Sequence, residues 1–411
     1  MLLDLPPELL SHIFELACPP SAPTAALPLT LVHPLLSPLA LPLLFRQLTL
    51  TSPGHVRALL ASPALERHAL SIRSLRFIPL DGDGGGRGGV GRGIGTAETL
   101  DGKVVDELLV RLKSLWEGRK EAGLGESGLE ELDVASVDPL FFETLQGDWL
   151  AGLRKLTLGP NLEGESDLPE FTFRLTSLAL HNNHWSTLPG YLLEPFLDPC
   201  TPFHRPGSNL STLRHLDLSS TYNVDDFSPF LDPFPSPSSS RSPTTRPANH
   251  LPALHSLLLP PFETASHLSF AHFALSSCSP SRLAYLELPP LSDATSGTYD
   301  VLWSEVARLL RPEEDEGGRE DGGRRAGEKE VGVRGWASAA LVETVKAVLA
   351  AAGMDSPARA GEGRRDGLKR LRFTRLFAVE DLGKIPGGGA ELIEQAEACG
   401  IELVCGPKEI D

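Results

Sequence analysis

The chain has 411 residues, a length that suits roughly two or three domains. Hydrophobic residues make up 41% of it and aromatic residues only 6%, which favours stacked rows of aliphatic side chains over a single mixed core. The formal net charge of -17 opposes binding to a phosphate backbone, so we expect no nucleic acid as a partner.

The first predicted element is an amphipathic helix over Leu5–Ala17. Leu5, Leu9 and Ile13 lie at helical spacing on one stripe, and the polar residues lie mostly off it. Asp4 can cap the helix, and the prolines that follow are tolerated in a first turn. An exposed apolar stripe of this kind needs a binding partner.

Two further apolar helices, a short strand and another amphipathic helix are predicted next. Their ranges are Ala25–Val32, Pro34–Phe45, Arg46–Leu50 and His55–Leu70. The stretch from 25 to 45 contains no Lys, Arg, Asp or Glu, but prolines interrupt it and each one removes a backbone donor. We therefore expect no membrane span and no membrane partner.

The motif L-x-x-L-x-L, with conservative replacements, then recurs along the chain. The fourth and sixth positions alternate with mostly polar ones, which is the period of a strand. The steps from Leu132 to Leu156 and from Leu156 to Leu178 fall within the leucine-rich-repeat range of about 20–29 residues. The copies begin at Ile72, Leu129, Leu153, Leu175, Leu213, Leu254, Leu283 and Leu368, and a final strand is predicted at Ile401–Val404 after a helix at Ala390–Cys399.

This recurrence predicts an α/β fold, an irregular leucine-rich-repeat solenoid preceded by a small all-α segment. No single unit can bury its own apolar row, whereas several stacked units build one continuous core. A Leu-rich α/β domain with a single core is the alternative. Helices are also expected at Tyr299–Leu310 and Ala337–Ala352, and flexible insertions near 81–100, 232–250, 311–335 and 355–367, which lack the apolar residues that would offset the entropy of ordering.

Motifs for catalysis, cofactors or metals are weak or missing. Gly86-x-Gly88-x-x-Gly91 matches a dinucleotide fingerprint, but no helix is predicted to open directly after it. Neither a G-x-S-x-G elbow nor an H-E-x-x-H pair is present. The scattered cysteines lack zinc-binding spacing and are expected to be reduced thiols of a cytoplasmic or nuclear protein. We expect no enzyme activity, no cofactor and no metal site.

The first 50 residues resemble the F-box of fungal F-box proteins. The resemblance lies in Leu5-Pro-Pro-Glu-Leu-Leu10, Ile13-Phe14, Leu29-x-Leu-Val32 and Leu35-Leu-x-x-Leu-Ala-x-x-Leu-Leu-Phe-Arg46. It implies a substrate receptor of SCF ubiquitin ligases, which docks a Skp-type adaptor, and through it a cullin, and presents a protein substrate for ubiquitin-dependent degradation. The residues that would face the adaptor are Leu5, Pro6, Leu9, Ile13 and Val32.

The predicted organisation is therefore an F-box-like segment at 1–50, a linker helix at 51–71 and a repeat array at 72–411. A repeat scaffold with no ubiquitin link, whose first helices cap the array, is the alternative function. We expect substrate on the strand-lined face, where an apolar and aromatic patch would stand exposed among charges. Its candidate residues are Asp217, Leu258, Tyr285, Glu287 and Arg372.

Overall fold

The chain folds into two compact α/β units, Met1–Asn182 and Asn183–Asp411. We describe it from a computed structural model. The residues described are 5–18, 23–78, 100–121, 128–159, 162–163, 173–181, 188–189, 212–220, 224–225, 251, 253–262, 265–291, 297–310, 329–353, 367–376 and 378–408.

The first unit begins with three helices, α1 (Pro7–Ala17), α2 (Leu27–Val32) and α3 (Ser37–Phe45), close to the ranges that the sequence predicts. They surround a small apolar core, because α1 turns one side inward while α3 supplies small and aliphatic residues. Pro42 lies inside α3. The buried residues of this core are Leu10, Phe14, Cys18, Ala26, Leu36 and Ala40.

The single helix predicted over His55–Leu70 is wrong. The structure has two helices here, α4 (Pro53–Leu60) and α5 (Pro63–His68). A new helix starts at Pro63 because proline favours the first helical position, and the Ser62 hydroxyl accepts a hydrogen bond from the backbone N–H of Ala64. The apolar periodicity of the sequence continues across this Ser-Pro break and therefore does not reveal it.

Within the described part of the first unit, the main parallel sheet has the strand order β1 (Gln47–Leu50), β2 (Ser74–Phe77), β4 (Glu131–Val134), β7 (Lys155–Leu158) and β9 (Ser177–His181). The repeated leucines stand in register across it, so that Leu48, Leu75, Leu132, Leu156 and Leu178 form one row. In chain order the strands are β1 (Gln47–Leu50), β2 (Ser74–Phe77), β3 (Leu100–Asp101), β4 (Glu131–Val134), β5 (Val137–Asp138), β6 (Leu140–Phe141), β7 (Lys155–Leu158), β8 (Leu162–Glu163) and β9 (Ser177–His181).

The second unit repeats this arrangement with the parallel strand order β11 (His215–Ser220), β13 (Ser256–Leu258), β14 (Tyr285–Leu288), β15 (Lys329–Val333), β16 (Leu368–Phe373) and β17 (Glu402–Cys405). Its aliphatic row is Leu216, Leu257, Leu286, Val331, Leu371 and Leu403. The strands of this unit are β10 (Leu188–Pro189), β11 (His215–Ser220), β12 (Val224–Asp225), β13 (Ser256–Leu258), β14 (Tyr285–Leu288), β15 (Lys329–Val333), β16 (Leu368–Phe373) and β17 (Glu402–Cys405).

The prediction of a flexible insertion near 311–335 is wrong in part, because residues 329–335, which include strand β15, lie within that range. Val331 and Val333 stand two residues apart and are fully buried, as a strand between two others requires. The buried ammonium of Lys329 donates to the backbone carbonyls of Pro280 and Leu309. The rest of that insertion, and nearly all of the other three, lies outside the described residues; the exceptions are Leu100, in β3, and Gly367.

Helices connect many of these strands. The expected helices near 299–310, 337–352 and 390–399 are confirmed, whereas the sequence analysis does not predict the helices Gly102–Glu121, Ala265–Ser276 and Val379–Gly383. Within the described ranges, no helix combines the length and the apolar content that crossing a bilayer demands. The remaining helices are α6 (Gly102–Glu121), α7 (Ala265–Ser276), α8 (Asp300–Leu310), α9 (Ala339–Ala351), α10 (Val379–Gly383) and α11 (Gly389–Ala398).

Truncation of one leucine in the row should show how much the sheet depends on it. Leu156→Ala removes a buried side chain between β4 and β9 and should lower the free energy of unfolding by about 2–5 kcal/mol. Val110→Ala, at an exposed position of α6, should change it by about 0.5 kcal/mol or less. Urea denaturation measures both, and equal effects would contradict a core built on this row.

Candidate functional site

The first helix carries apolar side chains on two sides. Leu10 and Phe14 are buried in the small N-terminal core, whereas Leu9 is 52% exposed and Ile13 38% exposed. Leu16, on the next turn, is exposed as well. One side of α1 therefore holds the three helices together, and its other apolar side contacts no core.

The second helix adds further exposed apolar residues. No residue of α2 is buried, and Val32 is 70% exposed. The other exposed large hydrophobic residues of the described chain are scattered singly, at Ile78, Val110, Val301 and Trp336. The exposed group, here called the N-terminal apolar face, consists of Leu9, Ile13, Leu16, Leu27, Leu31, Val32 and Leu35.

Of the residues predicted to face an adaptor, Leu9, Ile13 and Val32 lie on this face. Pro6 is also exposed, and Leu5 is half-buried against the N-terminal core. Leu9 and Ile13 of the predicted stripe thus point away from the core, whereas Leu5 packs against it.

The residues predicted to bind substrate lie together in the second unit. Asp217, Leu258, Glu287 and Arg372 occupy one register row across β11, β13, β14 and β16, with Gly332 of β15 between the last two. Tyr285 precedes Glu287 by two residues on β14, so both side chains project to the same face of the sheet.

The prediction that these residues are exposed is wrong for three of them, whereas Asp217 and Arg372 are partly exposed. Leu258 and Glu287 are buried, and Tyr285 is only 1% exposed. The Tyr285 hydroxyl donates to Glu287 Oε2 at 2.7 Å, and Arg334 Nη1 lies 3.8 Å from Glu287 Oε1. Gly332 gives the tyrosine room, because a Cβ at that position would overlap its hydroxyl.

Besides Arg334, two more residues that sequence reasoning missed, Glu330 and Lys408, complete this arrangement. Glu330 of β15 accepts a hydrogen bond from Arg372 Nε on Oε1 at 2.5 Å. Its Oε2 accepts one from Lys408 Nζ at 2.9 Å, and this ammonium stands 4.3 Å from the centroid of the Tyr285 ring. We refer to Tyr285, Glu287, Glu330, Arg334, Arg372 and Lys408 as the buried polar cluster.

The segment after β17 closes the face over this cluster. Arg372 Nη1 donates to the carbonyl oxygens of Gly406 at 3.3 Å and Pro407 at 3.4 Å. The backbone is thereby held beside the arginine that binds Glu330. Consequently the chain itself covers the tyrosine that the sequence suggested as an exposed anchor.

Burial acts to raise the pKa of Tyr285, Glu287 and Glu330, and the neighbours of each group either add to this effect or oppose it. Burial raises the pKa of Tyr285, and the neighbouring Glu287 carboxylate raises it further. Burial also raises the pKa of Glu287, although Tyr285 and Arg334 oppose the change. Burial alone would raise the pKa of Glu330 too, but hydrogen bonds from Arg372 and Lys408 outweigh it and leave that pKa below its ordinary value. Glu330 therefore stays ionised and cross-links the strand to the C-terminal segment.

Among the described residues, no group of His, Cys, Asp and Glu is arranged to hold a metal ion. Comparison with protein-family models, with curated proteins and with solved structures finds no match to this chain.

Removal of the Glu330 charge should destabilise the second unit in a pH-dependent way. Glu330→Gln leaves the Arg372 and Lys408 cations without their carboxylate and should cost about 1–3 kcal/mol at pH 7, since both cations keep some contact with water. Because the folded-state pKa is lowered, this contribution is present above the ordinary carboxyl pKa and disappears as the pH falls through the folded-state value.

Urea unfolding of both proteins between pH 7 and pH 3 measures this difference. The matched control is Glu402→Gln, which breaks an exposed pair with Arg370 and should cost about 0–1 kcal/mol. A Glu330→Gln effect that did not shrink at acid pH would show that Glu330 acts through packing and not through its charge.

Proposed function

We propose that this chain is a protein-binding substrate receptor of an SCF-type ubiquitin ligase. In this proposal the N-terminal apolar face docks a Skp-type adaptor, and through it a cullin. The observation that carries the proposal is the two-sided character of α1: Leu9 and Ile13 are exposed, while Leu10 and Phe14 are buried. The exposed pair coincides with residues that the F-box resemblance assigns to the adaptor.

The energetics of the exposed residues support a partner. Each large aliphatic side chain gains about 1.5–3 kcal/mol on full burial, so leaving several of them in water forgoes a substantial free energy. Monomeric proteins seldom expose such groups together unless they bind something. The part of the face that follows α1 lacks charge, since residues 25–45 contain no Lys, Arg, Asp or Glu, whereas α1 itself also exposes Glu8 and Glu15. A partner with an apolar groove fits it better than a charged one.

For the rest of the chain we propose a leucine-rich-repeat solenoid that binds the substrate without catalysing a reaction. The parallel strands and their aliphatic rows support this proposal. Since Leu258, Tyr285 and Glu287 are buried, substrate contact in that region falls to the partly exposed Asp217 and Arg372. The thiols of Cys18, Cys278 and Cys405 are free, which supports the proposal of a reducing cytoplasmic or nuclear location.

A second candidate is a repeat scaffold with no ubiquitin link, in which α1–α3 serve only as a cap. The packing of α3 against β1 and α5 favours it, as does the stacking of Phe45 on His68 with ring centroids 4.8 Å apart. A cap, however, would not need Leu9, Ile13 and Val32 in water.

A charge placed on the apolar face should abolish adaptor binding. Ile13→Asp would bury an unpaired carboxylate in the interface, which costs several kcal/mol and so weakens binding by about a hundredfold or more. Co-expression of the full chain with a Skp-type adaptor, followed by affinity purification, measures the complex that is recovered.

The matched control is Ile78→Asp, which changes the same residue type at a position that is also exposed and lies outside the face. It should leave the complex intact, and circular dichroism should show both variants folded. If Ile13→Asp still bound the adaptor as the wild type does, or if the wild type bound none, the SCF assignment would be wrong.

A further inference from the structure

A cavity of about 320 Å³ lies in the first unit, at the ends of β1, β2, β4 and β7 where these strands begin. It is separate from the N-terminal apolar face, whose residues do not line it. Its volume is at the lower end of the range for ligand sites, about 300–1,000 Å³. The lining residues are Arg46, Gln47, Arg73, Ser74, Arg76, Glu130, Glu131, Arg154 and Lys155.

The charge of this cavity is opposite to that of the whole chain. Its cationic side chains outnumber its two carboxylates, whereas the chain has a net charge of -17. Like charges gathered at one place repel one another, and such clusters are where proteins bind the opposite charge. The cations are Arg46, Arg73, Arg76, Arg154 and Lys155.

The carboxylates neutralise only part of this charge. Glu131 accepts hydrogen bonds from Arg76 Nη2 and from the Ser74 hydroxyl, both at 2.7 Å. Arg73 Nη1 donates to the Gly128 carbonyl at 3.1 Å, and its Nε lies 3.9 Å from Glu130. These contacts fix Arg73 and Arg76 in place, while the buried Nε of Arg76 has no acceptor.

The remaining cations are available to a ligand. In the part of the chain that the structure describes, the side chains of Arg46, Arg154 and Lys155 make no hydrogen bond or ion pair. Arg154 and Lys155 are exposed at the mouth of the cavity. Fixed arginines inside the cavity and unpaired cations at its rim form a site suited to binding an anion.

The spacing of the cations indicates a ligand longer than one anionic group. Backbone hydrogen bonds link Arg73 N to Arg46 O at 2.8 Å, Glu130 N to Arg73 O at 2.7 Å and Arg154 N to Glu130 O at 2.8 Å. These positions therefore follow one another across neighbouring strands, which are spaced about 4.8 Å apart. The row extends over roughly 14 Å, several times the reach of a single phosphate.

We propose that this cavity binds an acidic segment of a protein partner that carries at least two neighbouring negative groups, either carboxylates or phosphates. Arg73 and Arg76 hold the first group inside the cavity. Arg154 and Lys155 hold the next one at the rim. The site needs neither the adaptor nor the N-terminal apolar face, so it can exist whether or not the chain belongs to a ubiquitin ligase.

Fluorescence anisotropy with the full chain tests the proposal. The probes are three labelled peptides that share their flanks and carry three glutamates, three phosphoserines or three glutamines. The two acidic peptides should bind saturably, with a lower dissociation constant than inorganic phosphate shows in competition. The glutamine peptide should not bind. Whichever acidic peptide binds more tightly identifies carboxylates or phosphates as the natural source of charge.

Three variants locate the binding. Arg154→Glu/Lys155→Glu should weaken the acidic peptides by about tenfold or more. The matched control Arg67→Glu/Lys103→Glu makes the same charge change at exposed positions outside the cavity and should leave the affinity nearly unchanged. Glu130→Gln removes an exposed carboxylate from the row and should tighten binding about two- to fivefold, a gain that misfolding cannot produce.

Three results would overturn the proposal. One is that neither acidic peptide binds the wild-type chain. Another is equal weakening by the cavity variant and its control, which would mean that only total charge matters. The third is tighter binding of a single-stranded RNA oligonucleotide than of both acidic peptides. Failure of the adaptor test leaves these outcomes unaffected, because no adaptor is present.

Discussion

The alignment of aliphatic side chains across parallel strands is the constraint on which both units depend. Leu75, Leu132 and Leu156 occupy the same register position on successive strands and are removed from water together. Because side chains alternate along a strand, fixing this row on one face fixes the intervening residues on the other. The basic cavity of the first unit and the buried polar cluster of the second both result from that register.

The strands could be predicted because the leucine spacing is local information. Each copy of the motif predicts one strand. The pairing of neighbouring strands follows because it buries the aliphatic residues at equivalent motif positions together. The leucine pattern does not predict strand β15, because this strand begins with the charged residues Lys329 and Glu330, which do not resemble the leucines of the other copies. Those charges are tolerated through partners far away in the sequence, Pro280 and Leu309 for Lys329, and Arg372 and Lys408 for Glu330.

The two candidate sites differ in how much of them the sequence reveals. The exposed side of α1 follows from helical spacing alone, and Leu9 and Ile13 lie where that spacing predicts. The burial of Tyr285 does not follow from local spacing. It depends on Glu287, Glu330 and Lys408, and the last of these reaches the ring from beyond the final strand. Alternation predicts which face a residue occupies, but not whether another segment covers that face.

Hydrogen–deuterium exchange of the full chain tests the central claim, that aligned aliphatic rows hold each unit together. Backbone amides of the inner strands should exchange slowest, namely those of β2, β4 and β7 in the first unit and β13, β14, β15 and β16 in the second. Strand β15 provides the most decisive test, because its first residues are charged and the leucine pattern does not predict it. Exchange of Lys329–Val333 at the rate of an unstructured peptide, with the neighbouring strands still protected, would contradict the account.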